Sequence, residues 1–116
     1  MTLASVQKIV YLEPIDGADA IEKATILGWQ VVVKKGEFKV GELVCYIQID
    51  TVVPQTEQFE FLRPRNFRVR TIKLRGCLSQ GLIIPLKKGL VKEGEDLTTY
   101  FDIKKYEKPD NNPQRF

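Results

Sequence analysis

Positive charge is concentrated in one short stretch of this 116-residue sequence, where it could bind a polyanion. Residues 63–76 carry six bases and no acid, whereas residues 1–62 carry five bases against nine acids. Side chains on one face of a strand lie about 6.5–7 Å apart, which is close to the spacing of successive nucleic-acid phosphates. Like charges at that spacing repel one another, so the stretch predicts an acidic partner. Its bases are Arg63, Arg65, Arg68, Arg70, Lys73 and Arg75.

The apolar residues within this stretch show how a strand could present those charges. Phe67 and Val69 share one parity, and Ile72 and Leu74 share the other. A bulge near residues 70–71 would turn both pairs toward a core. The bulge would then leave on the outer face Arg68, Arg70, Lys73 and Arg75.

Two interpretations of this face remain open. Acidic side chains of neighbouring strands, such as Glu13 or Glu22, could pair with the arginines on a solvated face. Alternatively, the face tracks a phosphate backbone, and nearby aromatic rings stack on bases. Further predicted contacts are Lys34, Lys35 and Tyr46, the last because it is opposite in parity to the apolar residues of its strand.

The sequence lacks the residues that self-contained catalysis usually needs. It has no histidine and only two cysteines, Cys45 and Cys77, which lie too far apart in sequence to indicate a zinc site. The segment Lys73-Leu74-Arg75-Gly76 resembles the Lys-x-Asp-Gly motif of nucleotidyltransferases, but Arg75 stands where the aspartate is needed. We therefore predict no catalytic, cofactor-binding or metal-binding residue and no cofactor held by this chain.

The sequence also bears on location. No apolar run approaches 18 residues, and the first residues lack the pattern of a secretory signal. Two cysteines without a dense framework are typical of a reduced thiol pair. We expect an intracellular protein, cytoplasmic or nuclear, with no membrane contact.

The fold prediction is a small all-β barrel of five strands, because short apolar runs alternate with turn signals. A short C-terminal helix is predicted over Leu97–Phe101, with Asp96 as its N-cap. Residues 1–103 form the predicted domain, and the polar residues 104–116 a flexible linker. The five predicted runs are Ser5–Ile15, Ile21–Lys34, Leu43–Ile49, Phe67–Arg75 and Leu78–Leu86.

Several motifs occur in an order that resembles a known module. They are Ile15-Asp16-Gly17-Ala18-Asp19, Gly28-Trp29-Gln30-Val31-Val32-Val33-Lys34-Lys35-Gly36-Glu37, Gly41-Glu42-Leu43-Val44, Arg70-Thr71-Ile72-Lys73-Leu74-Arg75-Gly76, Ser79-Gln80-Gly81-Leu82 and Lys105-Tyr106-Glu107. Together they resemble the N-terminal domain of the ATP-dependent RNA ligases of the Deinococcus and Naegleria type.

The resemblance implies an OB-like barrel that precedes a nucleotidyltransferase domain in cis, which this sequence lacks. ATP and Mg²⁺ or Mn²⁺ are implied for that missing domain, and the full-length enzyme would join a 3′-OH RNA end to a 5′-phosphate. The implied partner of this chain is RNA or an RNA-containing duplex, such as a nicked one, and no ligase activity is expected of the chain alone. Two alternatives remain: a tRNA-binding OB module, and an interaction module that docks on its own catalytic domain without RNA contact.

Overall fold

The computed structural model describes residues 2–74, 76–86 and 92–106, which form a predominantly β domain. These residues contain eleven short strands and a 3-10 helix, Glu57–Arg65, which is kinked at Phe59. No helix in these ranges is long and apolar enough to cross a membrane. The strands are β1 (Ala4–Lys8), β2 (Tyr11–Ile15), β3 (Ala18–Ile26), β4 (Trp29–Lys34), β5 (Leu43–Ile47), β6 (Thr51–Val52), β7 (Arg68–Val69), β8 (Thr71–Leu74), β9 (Cys77–Gln80), β10 (Leu82–Pro85) and β11 (Lys104–Lys105).

The predicted all-β fold is confirmed, and the five predicted runs overlap nine of these strands. Four of the runs are divided in two. The run Ile21–Lys34, for example, is a hairpin in which β3 and β4 pair antiparallel. The two residues between them, Leu27 and Gly28, have positive φ angles of 51° and 79°, as a type I′ turn requires. Gly28 therefore provides the sharp turn that divides the run.

Strand β5 lies at the centre of the domain. It pairs antiparallel with β1 on one side and with β10 on the other. Both of its faces are buried, with Cys45 and Ile47 in one apolar cluster and Val44 and Tyr46 in a second. The domain therefore has a core on each side of this strand.

The strands form a partly open barrel. The paired strands of the described residues fall into four small sheets, β1-β5-β10, β11-β6-β7, β2-β3-β4 and β8-β9. Between β4 and β9, side-chain hydrogen bonds take the place of a backbone ladder. Gln30 Nε2 donates to the carbonyl oxygen of Leu78 at 3.0 Å, and the amide of Val32 donates to Ser79 Oγ at 3.0 Å. This arrangement leaves a groove beside β4 that is described below.

The C-terminal part of the prediction needs correction. The segment predicted as a short helix forms hydrogen-bonded turns instead, with one helical bond from the amide of Phe101 to the carbonyl of Leu97, at 3.1 Å. Asp96 does accept the amide of Thr98, at 2.9 Å, as a cap would. Lys104–Lys105, the first residues of the predicted linker, form β11 and pair with β6. Residues 107–116 of the predicted linker lie outside the described residues.

Candidate nucleic-acid interface

The basic stretch changes sheet partners at Arg70. Before this residue β7 pairs with β6, and after it β8 pairs with β9. The break lies where the sequence predicts a bulge. Phe67 and Val69 are buried, Ile72 is half-buried and Leu74 is 37% exposed, so the break turns the first apolar pair inward and the second pair only in part.

Four of the predicted basic residues line a single cleft of about 490 Å³ at this break. No acidic side chain is among its lining residues, so the side chains that line the cleft carry a net positive charge. Asn66 ends the 3-10 helix in the left-handed conformation, with φ of 55°, beside the place where Arg65 enters the cleft wall. The lining is Arg65, Arg68, Arg70, Lys73, Val52, Pro64, Asn66, Thr71, Ile72 and Tyr106.

Arg68 is held by two other segments of the domain. Its guanidinium carbon lies 3.7 Å from the ring centroid of Tyr106, and its Nη2 lies 3.4 Å from the Oδ1 of Asp50. The amide of Tyr106 donates to the carbonyl oxygen of Asp50 at 2.8 Å, next to the pairing of β11 with β6. These contacts thus fasten residues 104–106 to the domain. We call the three residues that make them, Arg68, Asp50 and Tyr106, the clasp. Arg68 is therefore less free to bind a phosphate than Arg70 or Lys73, which are exposed.

Two other predicted basic contacts, Arg63 and Lys35, are not among the residues that line the cleft. Arg63 donates from two nitrogens to the carboxylate of Glu60 and stacks over Phe67 at 5.5 Å. The hydrogen bond from Arg63 also holds the pKa of Glu60 below its usual value. Lys35 is exposed beyond the end of β4. Arg75 lies outside the described residues, so its predicted role stays a prediction.

The acidic residues proposed as compensating partners have other contacts. Glu13 pairs with Lys23 at 3.7 Å, and the carboxylate of Glu22 accepts the amide of Gly36 at 3.0 Å. Neither is among the described ion-pair partners of the basic stretch. The solvated-face interpretation therefore gains no support from these two example carboxylates.

The predicted outward orientation of Tyr46 is also wrong. Its side chain is only 1% exposed, because the second apolar cluster covers that face of β5. The hydroxyl donates to the carbonyl oxygen of Gln80 at 2.6 Å, so the polar end of the ring is satisfied inside the domain. A ring in this position has no free face on which a base could stack.

A second, larger groove adjoins the basic cleft. It has a volume of about 780 Å³ and lies between β4 and the 3-10 helix, over a floor from β7 and β10. Its lining is largely apolar and includes Phe61, which is 59% exposed. Lys34, one of the predicted contacts, is on its edge. Five residues line both the cleft and this groove: Pro64, Arg65, Arg68, Arg70 and Ile72.

The described residues contain no cluster of three or more His, Cys, Asp or Glu that could hold a metal ion. Burial raises the pKa of the Cys45 thiol to about 12, which suppresses the nucleophilic thiolate at neutral pH. These surroundings are those of a structural cysteine in the core.

The partly open barrel of short antiparallel strands is the architecture of an OB-fold domain. The family model of an OB-fold domain matches residues 3–86, and the chain belongs to this family. The OB-like fold predicted from the motifs is thereby confirmed.

The particular resemblance is to an RNA ligase. The structure of Naegleria gruberi RNA ligase with PPi is 34% identical and covers 97% of this chain, with a TM-score of 0.85. A variant of the same ligase with ATP and Mn is also 34% identical and covers 94% of the chain, with a TM-score of 0.85. The chain spans only 37% and 36% of the length of these two structures. Among curated proteins, none matches the chain. The resemblance to the OB domain of this ligase family is confirmed.

Sequence reasoning missed three residues of this interface. Tyr106 lies 38 positions after Arg68, and only the pairing of β11 with β6 brings the two together. Asn66 carries a recognisable signal, since an asparagine after a helix often adopts positive φ. Phe61 lies in a segment whose sequence has no strand or helix periodicity, so no pattern indicates that its ring is exposed at the edge of a groove.

Proposed function

We propose that this chain is the RNA-binding OB domain of an ATP-dependent RNA ligase and that it holds the phosphate backbone of an RNA-containing duplex in the basic cleft. The observation that carries the proposal is the convergence of Arg65, Arg68, Arg70 and Lys73 on one cleft without an acidic lining residue. Sequence-independent phosphate contacts from Arg and Lys dominate the affinity of such surfaces.

The proposal assigns different tasks to these bases. Arg70, at the strand break, and Lys73, in β8 just beyond it, are exposed and supply the principal phosphate contacts. Arg65 extends the cleft from the end of the 3-10 helix. Arg68, held by Tyr106 and Asp50, shapes the cleft wall and adds charge without moving freely.

Catalysis is assigned to a nucleotidyltransferase domain in cis. The similar ligase structures were obtained with PPi or with ATP and Mn, and they are longer than this chain. We assign ATP and Mg²⁺ or Mn²⁺ to that catalytic domain, as the resemblance to the ligase family implies. The full-length protein would then join a 3′-OH RNA end to a 5′-phosphate at a nick. The two free cysteines fit an intracellular location.

The test is the salt dependence of RNA binding by this chain. Fluorescence anisotropy with a nicked RNA-containing duplex should show weak binding, with Kd on the order of micromolar or above, falling steeply with salt. The double variant Arg70→Ala and Lys73→Ala should bind more weakly and flatten the log–log slope by about two units, roughly 0.9 per lost phosphate contact.

A matched control removes two positive charges elsewhere. Lys8 and Lys39 are both exposed and line neither the cleft nor the groove. Replacing both with alanine should leave the slope within about half a unit of the unchanged chain. If the two double variants behave alike, the cleft is not the phosphate site, and the domain-docking interpretation of the basic face takes its place. A clear preference for tRNA over the duplex would instead favour the tRNA-binding alternative.

A further inference from the structure

The proposed function assigns no task to the apolar surface of the groove next to the basic cleft. A duplex presents its phosphates at the surface while the faces of its bases are stacked on one another. The groove floor includes Val69 and Ile83, and the exposed ring of Phe61 is on its edge. These surfaces are suited to a flat apolar group, and the volume of about 780 Å³ lies in the range of small-molecule sites.

Charge around the groove limits what that group can be attached to. The basic residues Lys34, Arg65 and Arg70 are among its lining residues, with one carboxylate, Glu37. Because Arg65 and Arg70 also line the cleft, a chain of phosphates in the cleft would pass the mouth of the groove. The group that binds in the groove should therefore be a flat aromatic ring that is joined by a short linkage to a negatively charged group.

We propose that the groove binds an unpaired nucleotide of the RNA whose phosphates lie in the cleft, with Phe61 as the stacking ring. This inference rests on the proposed function, since it takes RNA as the occupant of the cleft. It adds a preference for RNA with unpaired residues, such as a frayed end or a single-stranded extension. Base–aromatic stacking tolerates any base, so the preference would be for unpaired structure and not for sequence.

The experiment separates the contribution of an unpaired base to the affinity from the contribution of the phosphates. Anisotropy titrations would compare an RNA duplex with a single-stranded extension, the same duplex with an abasic extension of equal phosphate number, and the blunt duplex. The unchanged chain should bind the base-bearing extension at least about fivefold more tightly than the abasic one, the lower end of the effect of one stacked base.

Variants then assign the preference to Phe61. Phe61→Ala should reduce the base-bearing advantage to less than about twofold with no change in salt slope, because no charge is removed. Phe61→Trp should keep the advantage. Tyr100→Ala serves as the control, since Tyr100 is also exposed, at 53%, and is not among the groove's lining residues.

The outcomes distinguish the two proposals. If the unchanged chain binds base-bearing and abasic extensions equally, the groove proposal is overturned while the backbone proposal stands. The groove proposal also fails if Phe61→Ala keeps the base-bearing advantage. If the chain binds none of the three RNAs at low salt, the proposed function itself fails, and the groove proposal fails with it.

Discussion

The clasp of Arg68, Tyr106 and Asp50 should stabilise the folded domain, and this contribution can be measured without RNA. Arg68 lies 3.7 Å above the Tyr106 ring, and its side chain is 29% exposed. Cation–π contacts range from about 0.5–1 kcal/mol when exposed to about 2 kcal/mol when desolvated, so this one should contribute about 1 kcal/mol. The carboxylate of Asp50 is 61% exposed and 3.4 Å away, so the ion pair should add at most about 1 kcal/mol and should weaken with salt.

A double-mutant cycle measures the contact between Arg68 and Tyr106 directly. Urea unfolding would compare the unchanged chain with Arg68→Ala, Tyr106→Ala and the double variant. The coupling free energy should be about 1 kcal/mol, and each single variant should lower the midpoint of thermal unfolding by about 4–8 °C for each kcal/mol lost. Tyr106→Phe should keep most of the coupling, because the ring face remains.

The same variants test the division of labour in the cleft. Arg68→Ala should lower stability more than Arg70→Ala does, whereas Arg70→Ala should flatten the salt slope of RNA binding more. A coupling free energy below about 0.3 kcal/mol would refute the clasp as a stabilising contact. An Arg70→Ala variant as unstable as Arg68→Ala would refute the division of labour.

Two predictions concern the core. Gly81 has φ of 125°, and a Cβ there would lie 2.5 Å from Tyr46 Cε1 and 2.8 Å from the carbonyl oxygen of Ile47, so Gly81→Ala should cost about 2–5 kcal/mol in urea unfolding. Gly36→Ala is the control, because Gly36 has φ of 83° but no atom within 4 Å of the added Cβ, and an equal cost would contradict the packing argument. Burial raises the pKa of Cys45 from 9.0 to about 12 and also raises the pKa of Tyr46, so the folded chain keeps protons that the unfolded chain releases. The free energy of unfolding should hold below about pH 9 and fall above it by up to about 1.4 kcal/mol per pH unit and group, and a flat profile to pH 11 would contradict this.

The fold was largely predictable because its local signals agree. Apolar runs bounded by turn residues located nine of the eleven described strands. The positions at which one predicted run contains two strands were harder to predict. The apolar pattern of an extended chain continues through a change of pairing partner, so it does not mark the change. At Arg70 the backbone leaves β6 for β9, and no local residue type specifies which partner is nearest.

Tyr46 shows where periodicity misleads. Alternation along a strand assigns one face to the core and the other to solvent, which holds for a sheet with one buried face. Strand β5 has a core cluster on both faces, so the residue opposite in parity to Cys45 and Ile47 is buried as well. Only the position of the strand at the centre of the domain, which is a tertiary property, decides this.

The two interpretations of the basic stretch can now be weighed on contacts. On a solvated face, carboxylates next to the cations would relieve the repulsion among them. Among the described residues, Arg63 has Glu60 and Arg68 has Asp50, while no carboxylate pairs with Arg65, Arg70 or Lys73. The repulsion among these three is relieved only by solvent and salt, at a cost that grows as their cleft becomes less hydrated. A polyanion that binds there relieves the repulsion among these cations and also releases its own counterions. Added salt weakens both contributions to the binding free energy. The distribution of ion pairs thus favours a phosphate-binding surface. Arg68 is the exception, because it contacts Asp50 and Tyr106 within the domain.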